Sequence, residues 1–162
     1  MEAMGVSRKR VPERRFRTGG TFISVGLLVL LVAELTGCAD PDSAILARLS
    51  ESEVAQFRSG QKVAVACWTC HDLAGTVKKV GPSLQGVYGR RSGLAPGYQG
   101  SPELIGATIV WDDRTLRAFL SNPSGFIPGN RMVSPGIRNG NALSDFLFYL
   151  RHVSPVGARD TQ

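Results

Sequence analysis

The five residues Cys67-Trp68-Thr69-Cys70-His71 constrain this chain more than any other stretch of its 162 residues. Two thiols three positions apart, followed at once by an imidazole, have the spacing of covalent haem attachment. The sulfurs reach the two vinyl groups on one edge of the porphyrin, and the adjoining ring is placed to ligate the iron. A chain of this kind folds around a plate, so much of its core is cofactor. Two other chemistries use the same spacing. A redox-active dithiol follows a strand in a βαβ pattern, whereas Gln61 to Ala66 read as the end of a helix. A zinc site needs four ligands, and with His152 the one further histidine and Cys38 the one further cysteine beyond the motif, neither a Cys₄ nor a Cys₂His₂ set is easily completed.

The first forty residues have a different character. Arg8, Lys9, Arg10, Arg14, Arg15 and Arg17 precede the apolar run Phe22 to Ala33, the charged and hydrophobic parts of an export signal. The run is shorter than the roughly twenty residues a spanning helix needs. Leu35-Thr36-Gly37-Cys38 follows immediately and resembles the lipobox of bacterial lipoproteins, in which cleavage before the cysteine accompanies attachment of a diacylglycerol to its thiol. That gives the odd cysteine of the three a role, and two or more acyl chains at about 0.8 kcal/mol per buried CH₂ anchor stably. The alternatives are an uncleaved anchor or cleavage elsewhere. Arg14-Arg15-Phe16 resembles a twin-arginine signal, a route set aside because haem attachment follows export of an unfolded chain. The expected organisation is a signal over residues 1–37, a tether over 38–51, a folded domain over 52–153 and a flexible tail over 154–162. The expected location is the bacterial periplasmic side, anchored to a membrane.

The formal charge of +6 is no argument for nucleic acid. Six of the 19 basic residues lie in the export segment, and from Cys38 onward 13 basic and 10 acidic residues leave +3. Two haem propionates would lower that further. No basic patch interleaved with aromatic residues is present either.

An iron held by His71 has a sixth position, and a thioether there raises the reduction potential. Met132 is the candidate, because Met1 and Met4 lie in the export segment. It follows Ile127-Pro128-Gly129-Asn130-Arg131, a Pro/Gly-punctuated loop able to hold a fixed non-helical path. The rival, His152, sits at the end of the last predicted helix beside Arg151. The expected metal ligands are His71 and Met132.

Val54, Phe57, Val63 and Ala64 make a weak helical stripe from Ser52 to Ala66 that delivers Cys67. Between Asp72 and Ile109, recurring Gly and Pro predict loops with short turns. Asp112 caps a helix carrying Leu116, Phe119 and Leu120 on one face, and Asn122-Pro123 stops it. Leu143, Phe146, Leu147 and Leu150 recur at i, i+3, i+4 and i+7, the period of an amphipathic final helix.

The chain resembles class I cytochromes c, specifically the mitochondrial-like branch, over about Ser52 to Arg151. Besides the attachment motif, Gly81-Pro82, Gly86-Val87-Tyr88-Gly89-Arg90, Ala95-Pro96-Gly97-Tyr98, Trp111, Asn122-Pro123, Ile127-Pro128-Gly129 with Met132, and Asp145 with Tyr149-Leu150 fall in the family's order and near its spacing. The resemblance implies an all-α cytochrome c fold, three main helices and long loops around one haem c held by Cys67 and Cys70. It implies that the Pro82 carbonyl accepts a hydrogen bond from His71, and that Arg90 and Trp111 partner a buried propionate. Tyr98 and Phe119 join the expected cofactor-binding residues. Phe119 stands where the family usually has a tyrosine whose hydroxyl reaches the methionine sulfur, so that bond is expected to be missing. Gly100, Ser124-Gly125 and Ser134 also depart from the family pattern: the first replaces a tyrosine near a propionate, the second stands where mitochondrial relatives carry lysines for docking their oxidase, and the third replaces a phenylalanine near the exposed haem edge. Lys78, Lys79, Arg91, Arg131 and Arg138 remain as a basic rim that could steer an acidic partner.

The function implied is single-electron transfer between redox proteins, membrane complexes among them, by a monomeric carrier and not an enzyme. Two alternatives stay open: a haem subunit fixed within a membrane oxidoreductase, and an open-site haem protein, peroxidase-like or gas-binding, in which Met132 is displaced.

Overall fold

The computed structural model describes residues 40–154; the expected signal, Cys38 and the tail beyond Ser154 lie outside them. The described residues form helices α1 (Ser43–Leu46), α2 (Glu51–Trp68), α3 (Pro102–Gly106), α4 (Asp113–Ser121), α5 (Pro123–Phe126) and α6 (Gly140–Val153). Three of them are long, as the sequence implies, and loops make up most of the remainder.

α2 begins where Ser50 and Glu53 cap each other, the Ser50 amide donating to Glu53 Oε2 at 2.8 Å and the Glu53 amide to Ser50 Oγ at 3.4 Å. This satisfies two of the donors that a helix start leaves open. Its buried face is Phe57, Gly60 and Ala64, which meets Leu143, Phe146, Leu147, Tyr149, Leu150 and Val153 of α6. Gly60 makes the crossing close, because a Cβ there would collide with the Asp145 carbonyl oxygen and the Tyr149 Cβ. Phe57 packs edge-on to Tyr149 with ring centroids 4.9 Å apart, and Ser59 Oγ donates to Asp145 Oδ2 at 2.7 Å.

Part of the segment expected as a tether lies on this core. Ile45, Leu46 and Leu49 pack against it, and Gln61 Nε2 donates to Asp42 Oδ2 at 2.8 Å. In the sequence Ile45, Leu46 and Leu49 suit either a short helix or a tether; the structure forms the short helix α1 and adds a contact with the core that the sequence did not indicate.

Asp112 caps α4, accepting from the Thr115 amide at 2.7 Å while its own amide donates to Thr115 Oγ1 at 2.8 Å. Leu116 and Phe119 point into the core. Asn122-Pro123 does more than stop α4: Asn122 Oδ1 accepts from the Gly125 amide at 3.1 Å, and Pro123 opens α5, where its missing N–H has no cost. Similarly, α3 interrupts the region read as loops, with Ser101 as its cap and Pro102 at its start.

Two tertiary links position the loops. Residues 89–92 run antiparallel to 109–111, with Gly89 N to Trp111 O at 2.8 Å, Trp111 N to Arg90 O at 2.9 Å and Ser92 N to Ile109 O at 2.7 Å. At the far end of α6 the fully buried Ser154 hydroxyl donates to the Leu84 carbonyl and accepts from the Val87 amide.

Candidate cofactor site

Cys67 lies in the last turn of α2, and its carbonyl accepts from both the Cys70 amide, at 3.1 Å, and the His71 amide, at 2.9 Å. One oxygen thereby fixes the second thiol and the imidazole relative to the first thiol. Both cysteines are half-buried free thiols. Burial, with Cys70 nearby, pushes the Cys67 thiol above its ordinary pKa.

His71 Nδ1 lies 2.8 Å from the Pro82 carbonyl oxygen. A carbonyl can only accept, so Nδ1 carries the proton and Nε2 keeps its lone pair. Burial holds the ring below the ordinary histidine pKa; the Pro82 bond opposes this and the Lys79 cation reinforces it. The imidazole is therefore neutral at pH 7, as a metal ligand must be. Gly81 lies flat on the ring, where a Cβ would collide with Cε1.

The loop carrying Pro82 is laced to the motif at three points. Lys79 Nζ donates to the Trp68 carbonyl at 2.6 Å, the Gly81 amide to the Cys70 carbonyl at 2.8 Å, and His71 to Pro82. Asp72 holds the turn behind it, accepting from the Gly75 amide at 2.9 Å and the Val77 amide at 3.0 Å. Burial pushes the Asp72 carboxyl up, but bonds from Gly75, Val77 and Ala74 outweigh it and hold the group below the usual range. Ser83 Oγ donates to the Gly75 carbonyl at 2.5 Å, and Arg90 Nη2 to the Ser83 carbonyl at 3.0 Å.

The structure thus joins Cys67, Cys70, His71 and Pro82 directly, and Arg90 through Ser83. Trp111 is buried, paired with Arg90 through the backbone and packed 5.2 Å from the Phe119 ring. Tyr98 reaches the neighbourhood through its hydroxyl, which donates to the Val80 carbonyl at 3.3 Å.

Met132 is half-buried against the same core. Its loop is shaped by Asn130, whose Nδ2 donates to Ile127 O at 2.7 Å and Pro123 O at 2.9 Å while Oδ1 accepts from the Met132 amide at 2.9 Å. Arg131, expected at the rim, donates to the Gly100 carbonyl at 3.2 Å. The rival His152 has Nδ1 2.8 Å from the Phe148 carbonyl, and its ring packs on Phe148 and Phe57. The sequence did not single out Asp72, Ser83 or the supporting role of Asn130. An aspartate three residues before a glycine is a weak turn signal; the other two left none.

Two unbridged thiols, a neutral imidazole with one committed nitrogen and a glycine that leaves no side chain beside that ring suit a covalently held iron porphyrin. No protein-family model matches the chain. It is, however, 34% identical over 110 residues to a cytochrome c of Sesamum indicum, a match spanning 67% of this chain and 99% of that one. The chain belongs to the cytochrome c family. Cytochrome c2 iso-2 of Magnetospirillum fulvum is 39% identical over 85 residues, 52% of this chain and 88% of its own. The solved structure of cytochrome cH from Methylobacterium extorquens superposes with a TM-score of 0.55 at 35% identity, covering 58% of this chain and 95% of that one. As a cytochrome c, the protein is an all-α electron carrier, not an enzyme, with one covalently attached haem c.

Proposed function

We propose that Cys67 and Cys70 would tether the haem as thioethers, that His71 Nε2 and the Met132 sulfur would hold its iron, and that Pro82, Arg90, Tyr98, Trp111 and Phe119 would line it. The observation that carries this reading is the 2.8 Å bond from His71 Nδ1 to Pro82, which commits one nitrogen to the protein and leaves the other for the iron. The haem supplies an iron that gains and loses one electron. The protein keeps His71 neutral and oriented and holds Met132 on a loop tied by Asn130. Arg90 and Trp111, linked through their backbones, would supply donors to a buried propionate.

The chain is read further as an exported protein of the bacterial periplasmic side, held to a membrane by acylated Cys38 and passing electrons between membrane-associated redox partners. The charged and apolar runs ahead of Cys38 support this. No helix among the described residues is long and apolar enough to cross a membrane. Intact-mass measurement of the membrane-extracted protein tests it, with one haem and an acylated Cys38 as the new N-terminus expected. For the ligands, Met132→Ala should lower the reduction potential and open the ferric protein to cyanide or imidazole. An unchanged spectrum and redox titration would remove Met132 from the site.

A further inference from the structure

Along α2, Gln61, Val65 and Trp68 follow at spacings of four and three and so share a face. Val65 is 53% exposed and Trp68 40% exposed, so the helix that delivers the haem offers apolar surface to its surroundings. Cations surround it. Lys62 is exposed on the next position round the helix, Arg58 Nη1 donates to Gln61 Oε1 at 2.9 Å, and Lys79 Nζ sits on the Trp68 carbonyl. From Phe57 to Thr69 the helix carries no Asp or Glu. The Asp42 carboxylate at its margin is engaged by Gln61.

The same face receives the chain from the N-terminal side. Asp42 is fastened to Gln61, and Ile45, Leu46 and Leu49 are packed on the core. Only three residues separate Cys38 from Asp42, so the Cys38 Cα can lie no more than about 14 Å from that of Asp42. Whatever holds Cys38 therefore holds the Gln61 end of this face close by. Cys67 is six residues further along α2, about 9 Å of helix rise.

We propose that the face formed by Gln61, Val65 and Trp68, edged by Arg58, Lys62 and Lys79, rests on the anionic surface of a lipid bilayer. This rests on the reading that Cys38 is acylated. Tryptophan beside cations is the composition that settles at a headgroup boundary, the ring taking the interface and the charges meeting anionic lipid. The packed stalk then holds the haem at a fixed height and tilt. The partners are redox proteins that expose their electron-entry point near the membrane surface, and the carrier does not roam at the end of a long leash.

The test is hydroxyl-radical footprinting read by mass spectrometry on the full-length holoprotein in protein-free vesicles. One set is phosphatidylcholine alone, the other includes phosphatidylglycerol. Oxidation of Val65 and Trp68 should fall about fivefold or more in the anionic vesicles, while the exposed Val110 is oxidised equally in both. Arg58→Gln and Lys62→Gln, neither of them a residue assigned to the haem site, should each restore oxidation about fivefold with the visible spectrum unchanged. Equal oxidation of Val65 and Trp68 in both lipids, on a chain whose Cys38 is acylated in the same mass spectrum, overturns the resting face and leaves the anchor standing. An unmodified Cys38 overturns the anchor and the face together. Protection that appears only after a membrane redox complex is added assigns the face to a protein, and also overturns the proposal.

Discussion

Gly60 of α2 sits directly against the backbone carbonyl of Asp145 in α6, with no space for a Cβ between them. Gly60→Ala gains about 1 kcal/mol of helix propensity, but the obstacle is backbone and Tyr149 Cβ, which cannot swing away. Overpacking of this kind costs about 1–3 kcal/mol, and the helices must move apart. Urea unfolding of the holoprotein should show net destabilisation, and Gly60→Val a larger one. A more stable Gly60→Ala protein would mean that the crossing is looser than described.

Asn130 spends both ends of its amide on the Met132 loop. Asn130→Ala leaves the Pro123 and Ile127 carbonyls and the Met132 amide short of partners, at about 1–3 kcal/mol for each group that stays buried. The expected outcome is selective: the absorption feature of sulfur ligation is lost at lower denaturant than the helical circular dichroism. Simultaneous loss of the two signals would show that the loop is not a separate weak point.

Ser154 is completely buried, with its hydroxyl between the Leu84 carbonyl and the Val87 amide. Ser154→Ala should cost about 1 kcal/mol, the usual net value of one hydrogen bond, because the Val87 amide and the Leu84 carbonyl keep their own 2.9 Å bond. Hydrogen exchange at the Val87 amide should quicken more than exchange at the centre of α2. Unchanged protection of Val87 would count against the link.

Acid sensitivity should come from the carboxylates that serve the backbone. Hydrogen bonds from the Ser50 side chain and backbone hold Glu53 below its ordinary 4.5, and bonds from Thr115 hold Asp112 below 3.8. Asp72 is lowered as well. A depressed carboxylate lends stability that is complete above its unfolded pKa and disappears as pH falls through the folded one. Stability should therefore be level from neutral pH to about 5 and decline below about 4. Asp112→Asn keeps a capping oxygen but removes one titrating group, so its decline below pH 4 should be shallower. An equally steep acid limb in that variant would exclude Asp112 as a contributor.

The three long helices were legible because each repeats apolar residues at helical spacing and one starts on a cap read from the sequence, Asp112; the capping pair Ser50 and Glu53 went unread, and the first long helix was expected from Ser52. α3 and α5 were not, since four or five residues opened by Pro102 or Pro123 contain no period. The attachment motif was legible because its chemistry fixes the spacing of two thiols and an imidazole, and Pro82 only through the family resemblance. The supports were harder: Asn130, Ser83 and Ser154 act through single bonds to backbone far away in sequence, and a lone polar residue in a loop gives no pattern until the chain path is known. The contact of Ile45, Leu46 and Leu49 with the core stayed hidden for the same reason. Their apolar character fitted a linker near lipid as well as a packed segment.

Cys67 belongs to the same helical rod that Gly60 lodges against α6, so one mooring of the pigment runs straight into a close helix crossing. The angle at which the chromophore meets an incoming partner is thus inherited from the helix crossing. A substitution there, with no atom near the iron, would retune electron-transfer rates by turning the chromophore like the hand of a clock.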